Sequence, residues 1–236
     1  MKKFSSKTNS LIILKKKVKI KNCRIPKFIY FSKEDFIANK NLVFERIKKK
    51  FKKEIIIRSS SFSEDLDNNS NAGKYQSFLN IKIDKKIIFK KINEVINDYK
   101  NPKDQVIIQD FEKKILYSGV IFTRDQNTNA PYYTVNFDKS GRTDLVTSGK
   151  YNPSSKTIVI YKKTKKIPNI FLSLITVAKK IEKIFNSERL DIEFAIEKKT
   201  KTILLFQCRK LPEYKKFENF DNEIDVTINN IKKKIN

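Results

Sequence analysis

Apolar residues fall into short runs along the chain, and their spacing switches between the two periods of regular structure. After Ser32-Lys-Glu-Asp35, which reads as a capping box, Phe36, Val43, Phe44, Ile47 and Phe51 recur at helical intervals and predict a helix over 35–53. Glu54-Ile-Ile-Ile-Arg58 is a β-branched run and predicts a buried strand ending on an arginine. Residues 59–77 are small and polar, with Gly73 as the only glycine, which predicts a long loop, and long loops in compact domains are usually functional or disordered. A strand at 78–83 precedes a helix over 84–99, whose inner face carries Ile88, Ile92, Val95 and Ile96 and which Asn101-Pro102 ends. Strand patterns follow at 106–109, 116–123, 132–137 and 157–162. The clearest amphipathic helix, 170–186, runs through Phe171, Leu174, Ile175, Ala178, Ile181 and Phe185. Two further strands, 190–197 and 202–208, turn through Lys198-Lys-Thr-Lys201, and a charged tail with a weaker helical stretch near 224–235 follows Pro212. This order predicts an α+β chain of two lobes hinged near 100–106. The N-terminal lobe spans 1–105, a second lobe 106–212, and the charged tail 213–236.

Composition narrows the chemistry. Hydrophobic residues make up 39% of 236, enough to bury a core. No run approaches the roughly 18 apolar residues of a membrane span and no signal peptide opens the chain, so no membrane role and a cytoplasmic location are expected. Two cysteines exclude a disulfide scaffold or a cysteine-rich zinc site. The absence of histidine excludes a Ser-His-Asp triad, a histidine-ligated metal and a phosphohistidine within this chain.

The net charge of +26 attracts phosphates of any kind. Only seven of the 52 basic residues are Arg, however, and Arg is the residue suited to bidentate phosphate and base recognition. A lysine excess beside abundant Ile and Asn fits compositional drift, and it ranks nucleic acid last among candidate partners.

Four places combine charged or amide side chains with strand ends. Arg58-Ser59-Ser60-Ser61 brings a guanidinium to a hydroxyl-rich loop able to meet phosphate oxygens, although polar loops after strands also arise from ordinary turns. Asp191-Ile-Glu193 puts two carboxylates on one face of a strand, either a magnesium site or a solvent-facing edge. Gln207-Cys-Arg209 ends the hairpin partner of that strand, so an amide oxygen and a guanidinium can sit opposite Glu193. Lys7, in Ser5-Ser-Lys-Thr8, says nothing alone among so many lysines.

Together these residues resemble the N-terminal nucleotide-binding domain of the phosphoenolpyruvate synthase and pyruvate phosphate dikinase family, an ATP-grasp fold that rifampicin phosphotransferases share. The resemblance covers roughly 5–212. It rests on Arg58-Ser-Ser-Ser-Phe-Ser-Glu64-Asp65-Leu66 with Ala72-Gly73 and Phe78-Leu-Asn80, and on Ser118-Gly-Val-Ile-Phe-Thr-Arg-Asp125. It rests equally on Asp191-Ile-Glu193 with Phe206-Gln-Cys-Arg209. Ser5-Ser-Lys7 stands where the family has Gly-Gly-Lys, with Ile25-Pro26 following. Gln126 replaces a proline after Asp125, and 138–149 replace a Gly-Leu-Gly-Glu block.

The resemblance implies a nucleotide site in the cleft between two lobes. Lys7, Arg58 and Arg209 would bind ATP phosphates, with Arg58 and Arg209 as the catalytic cations. Glu193 and Gln207 would hold Mg²⁺, Gln109 would lie near the hinge by the adenine, and the serine-rich loop would close over the phosphates. Family enzymes pass phosphate to a histidine on a mobile domain, and this sequence has none. The expected activity is therefore an ATP- and Mg²⁺-dependent kinase or phosphotransferase component acting with a separate chain that carries the phosphohistidine and acceptor sites. The alternative is a non-catalytic ATP-binding or regulatory remnant of that family.

Overall fold

A computed structural model describes residues 6–61, 77–139, 155–211 and 221–235. Most of the serine-rich loop, including Glu64-Asp65-Leu66 and Ala72-Gly73, lies outside the described residues. So do the Gly141–Gly149 stretch and the start of the tail.

The chain opens with α1 (Lys7–Lys17), which the apolar spacing did not predict. Ser6 caps it, the Ser6 hydroxyl accepting a hydrogen bond from the Asn9 N–H, and Leu11 and Leu14 are its buried contacts. Next come β1 (Cys23–Arg24), β2 (Phe28–Ser32), α2 (Lys33–Ala38) and α3 (Lys40–Lys50). The single helix expected over 35–53 is thus two helices. The Ser32–Asp35 capping box forms, but the Asn39 side chain accepts from the Leu42 N–H and starts a second helix there.

Strands β3 (Ile55–Ser60) and β4 (Ser77–Ile81), helix α4 (Lys85–Asn97) and strand β5 (Gln105–Asp110) complete the smaller sheet, whose order is β2-β5-β3-β4. Ile55, Ile57, Val106 and Ile108 point to one of its faces and share a core with Phe36, Ile47, Ile88 and Ile92 of the helices. The other face carries Ile56, Arg58 and Ser60 opposite Gln109, Ile107 and Gln105.

The remaining strands are β6 (Ile115–Phe122), β7 (Tyr132–Asp138), β8 (Ser155–Tyr161), β9 (Leu190–Glu197) and β10 (Ile203–Lys210). With β1 they form a sheet of order β1-β10-β9-β6-β7-β8. Helix α5 (Asn169–Phe185) precedes β9, and α6 (Asp221–Ile235) ends the chain. Every second residue of β9, from Leu190 to Ile196, packs with Phe171, Leu174, Ile181 and Phe185 of α5. Asp191 and Glu193 therefore alternate to the face away from α5.

Gly119 lets β6 and β7 pair closely. A Cβ there would lie 2.0 Å from the Asn136 carbonyl oxygen, which is backbone and cannot step aside. The strand at 105–110 pairs in the smaller sheet, so the chain crosses between sheets within 111–114; the boundary expected at 105/106 falls inside β5. No helix among the described residues is long and apolar enough to cross a membrane.

Candidate functional site

The two sheets meet through polar side chains. Arg58 leaves β3 on the face turned away from the helical core, and its Nη2 donates to Glu193 Oε2 at 2.6 Å and to Gln207 Oε1 at 3.3 Å. Two pairs further along the hairpin, on the same face, Arg209 Nε donates to Asp191 Oδ2 at 2.6 Å. Residues from β3, β9 and β10 thus form one cluster of two guanidinium groups, two carboxylates and an amide.

Gln207 reaches this cluster through a β-bulge. Leu205 pairs with Phe194, yet Gln207 pairs with Glu193, so Phe206 is an extra residue. Strict alternation from Ile203 and Leu205 would turn Gln207 into the α5 core. The inserted residue reverses the alternation, sends Cys208 into that core and brings Gln207 beside Glu193.

Lys7 is the first residue of α1, and its charge acts on both Asp191 and Glu193. The helix is pinned by Thr8, whose backbone N–H and hydroxyl both donate to Ser60 Oγ, at 3.0 and 2.9 Å. Ser60 is buried, and its own N–H donates to the Tyr99 hydroxyl. The residues alone leave Lys7 one lysine among many and only the resemblance gives it to ATP phosphates; neither reading finds Thr8 and Ser60 as the clip that seats it. A serine cap at Ser6 followed by Leu11 and Leu14 was the available signal.

Electrostatics separate the two carboxylates. Burial opposes ionisation of Glu193, but the Arg58 guanidinium, with Lys7 and Arg209, holds its carboxyl below the usual range. Burial pushes the Asp191 carboxyl up and outweighs Arg209, and the neighbouring Glu193 charge adds to the rise.

Gln109 lies on the same face of the smaller sheet as Arg58, two residues before the crossing segment. It is fully buried, and neither its amide nitrogen nor its oxygen has a hydrogen-bond partner among the described residues. An unpaired buried amide costs about 1–3 kcal/mol, which a ligand group can offset.

The donor set fits one kind of metal. No group of three or more acidic or cysteine side chains that could hold an ion stands together among the described residues, which does not suit a metal bound by protein alone. Glu193 and Gln207 supply one carboxylate and one amide oxygen side by side, with Asp191 adjacent. That suits magnesium, which keeps water and takes one or two carboxylates together with substrate phosphates.

Comparison with known proteins agrees with this architecture. Residues 31–106 match the family described as pyruvate phosphate dikinase, AMP/ATP-binding domain. No curated protein matches the chain by sequence. Among solved structures, the D-alanine-D-alanine ligase from Coxiella burnetii superposes with a TM-score of 0.53 at 11% identity, covering 89% of this chain and 48% of the ligase. The VanG D-Ala:D-Ser ligase from Enterococcus faecalis gives 0.50 at 11% identity, covering 87% and 52%. The D-alanine-D-alanine ligase from Helicobacter pylori gives 0.50 at 11%, covering 89% and 55%. The chain spans about half the length of these ligases. It has the ATP-grasp fold, and over residues 31–106 it is similar to the AMP/ATP-binding domain of pyruvate phosphate dikinase.

Proposed function

We propose that the chain binds ATP with Mg²⁺ in the cleft between its sheets and serves as the phosphotransferase module of a phosphoenolpyruvate synthase-like system. The phosphohistidine and acceptor sites then belong to a partner chain. The observation that carries this reading is the convergence of Arg58, Glu193, Gln207 and Arg209 from three strands of two sheets. The family match over 31–106 and the ATP-grasp fold support nucleotide binding.

In this reading Lys7, Arg58 and Arg209 bind the phosphate oxygens, and Gln109 offers its buried amide on the hinge side. Glu193 and Gln207 are the residues that would hold magnesium, which when bound neutralises phosphate charge. Arg58 exchanges its carboxylate partner for phosphate oxygens, and its planar fork orients the transferring group. Phosphoryl transfer depends mainly on such positioning and charge stabilisation. Nucleotide affinity measured with and without Mg²⁺, in wild type and in Glu193→Ala/Gln207→Ala, tests the assignment. The magnesium-dependent part is expected to vanish in the double variant, and its survival there would refute the site.

A second reading, a nucleotide-binding protein without transfer, is favoured by one feature. Both arginines are already matched, each to a carboxylate at 2.6 Å. Release of labelled phosphate from ATP in the presence of a histidine-bearing partner chain separates the two.

A further inference from the structure

A second basic site lies on the far side of the larger sheet. Lys179, Lys180 and Lys183 of α5, and Lys19 and Lys21 of the connection between α1 and β1, line a cavity of about 520 Å³ together with Ile20 and Thr176. We propose that this cavity binds a small, multiply charged phosphate anion.

Three observations carry the inference. First, five of the seven lining residues are lysine and none is acidic, whereas Lys and Arg together are 52 of 236 in the whole chain, so compositional drift alone does not account for the lining. Second, none of the five has an ion-pair partner among the described residues. Five ammonium groups around one cavity repel each other, and an anion relieves that repulsion; the dipole at the C-terminal end of α5 helps only Lys183, in its last turn. Third, the site is separate from the Arg58–Glu193 cleft. The inner face of α5 covers the surface of β9 opposite Asp191 and Glu193, so its outer face looks away from them.

The lining selects the ligand class. Lysine ammonium groups are compact charges that donate to phosphate oxygens from many directions. No arginine is present to read base edges, and no aromatic ring to stack a base. The Thr176 hydroxyl already donates to the Leu172 carbonyl at 2.9 Å, so recognition falls on the lysines.

The test is calorimetric titration of the full chain with inorganic tripolyphosphate, and in parallel with ATP, both without magnesium. Lys179→Gln/Lys180→Gln/Lys183→Gln is expected to lose at least about tenfold in affinity for one or both probes, and Lys19→Gln/Lys21→Gln to lose affinity for the same probe. The probe showing the loss distinguishes an inorganic chain from a nucleotide's. A charge-matched control, Lys48→Gln/Lys49→Gln/Lys50→Gln at the end of α3, is expected to change affinity less than about twofold, because screening limits the reach of distant charges. Equal losses in the α5 and α3 variants would reduce the site to diffuse charge and overturn it. An unchanged affinity in both α5 and α1–β1 variants would place all binding elsewhere and overturn it too. Tighter α5-dependent binding of a single-stranded oligonucleotide than of either probe would replace the small anion with nucleic acid.

Discussion

Two charged clusters in this molecule look alike in their immediate geometry. Arg58 and Glu193 meet at 2.6 Å with side chains 13% and 16% exposed. Lys162 and Glu182 meet at 2.6 Å with side chains 14% and 12% exposed. Burial and distance therefore do not distinguish them. Their surroundings do. Glu182 also accepts from the Tyr133 hydroxyl at 2.9 Å, and Lys162 sits 5.1 Å from the Tyr133 ring and 3.6 Å from Glu188. That cluster closes on itself within the larger sheet and its helix. The Arg58 cluster instead joins different sheets, and it adds a second arginine, a second carboxylate and a lysine beside an unsatisfied amide. A self-contained pair suits a structural tie, while an excess of convergent polar groups across a cleft suits a ligand.

The largest effect expected from breaking this comparison is that of Arg58→Ala. It should lower nucleotide affinity by about 100-fold, since charge-assisted contacts to phosphate are lost. It should also cost about 2–3 kcal/mol of stability without ligand, because Glu193 keeps its charge with less compensation. Denaturant unfolding and nucleotide titration of one preparation check both. Glu182→Ala should cost about 2 kcal/mol by the same unfolding measurement while nucleotide affinity stays within about twofold. A large loss of affinity there would erase the distinction between the clusters.

A finer test uses pH. The folded carboxyl of Glu193 lies below its ordinary value of 4.5, so its contribution to stability is present above that pH and lost as pH falls through the folded value. Asp191 has the opposite sign. Its folded carboxyl lies above 3.8, so its contribution is present below that pH and lost as pH rises through the folded value. On acidification stability should first gain from Asp191 and then fall with Glu193. Asp191→Asn should remove the first limb alone, and an unchanged profile in that variant would reject the sign. The smallest effect concerns two helix caps. Ser6→Ala and Ser32→Ala should each cost about 1 kcal/mol. Only Ser6→Ala should also weaken nucleotide binding, because the helix it caps begins with Lys7.

Much of this was legible beforehand. Helices α4 and α5 follow apolar periodicity closely, because burial of one face imposes the repeat on the sequence, and strands β3, β6, β9 and β10 stand out as short apolar runs buried within the sheets. Helix α1 escaped because its apolar block Leu11-Ile-Ile-Leu14 is a continuous run with no helical repeat. The break at Asn39 escaped because a polar cap interrupts a helix without disturbing the apolar spacing on either side. The tie between Thr8 and Ser60 joins residues 52 apart, and neither side chain announces its partner.

What the sequence alone determined was the supply of chemistry: no histidine, arginines at 58 and 209, and carboxylates at 191 and 193 on alternate positions of a strand otherwise apolar on its core face. Only the tertiary structure decided which of these meet. The one-residue bulge at Phe206 turns Gln207 toward Glu193, and sheet packing carries Arg58 across to both. Side-chain direction in a strand is local and follows from alternation. Register, and the approach of one sheet to another, depend on contacts between distant segments, so they are fixed only when the whole chain packs.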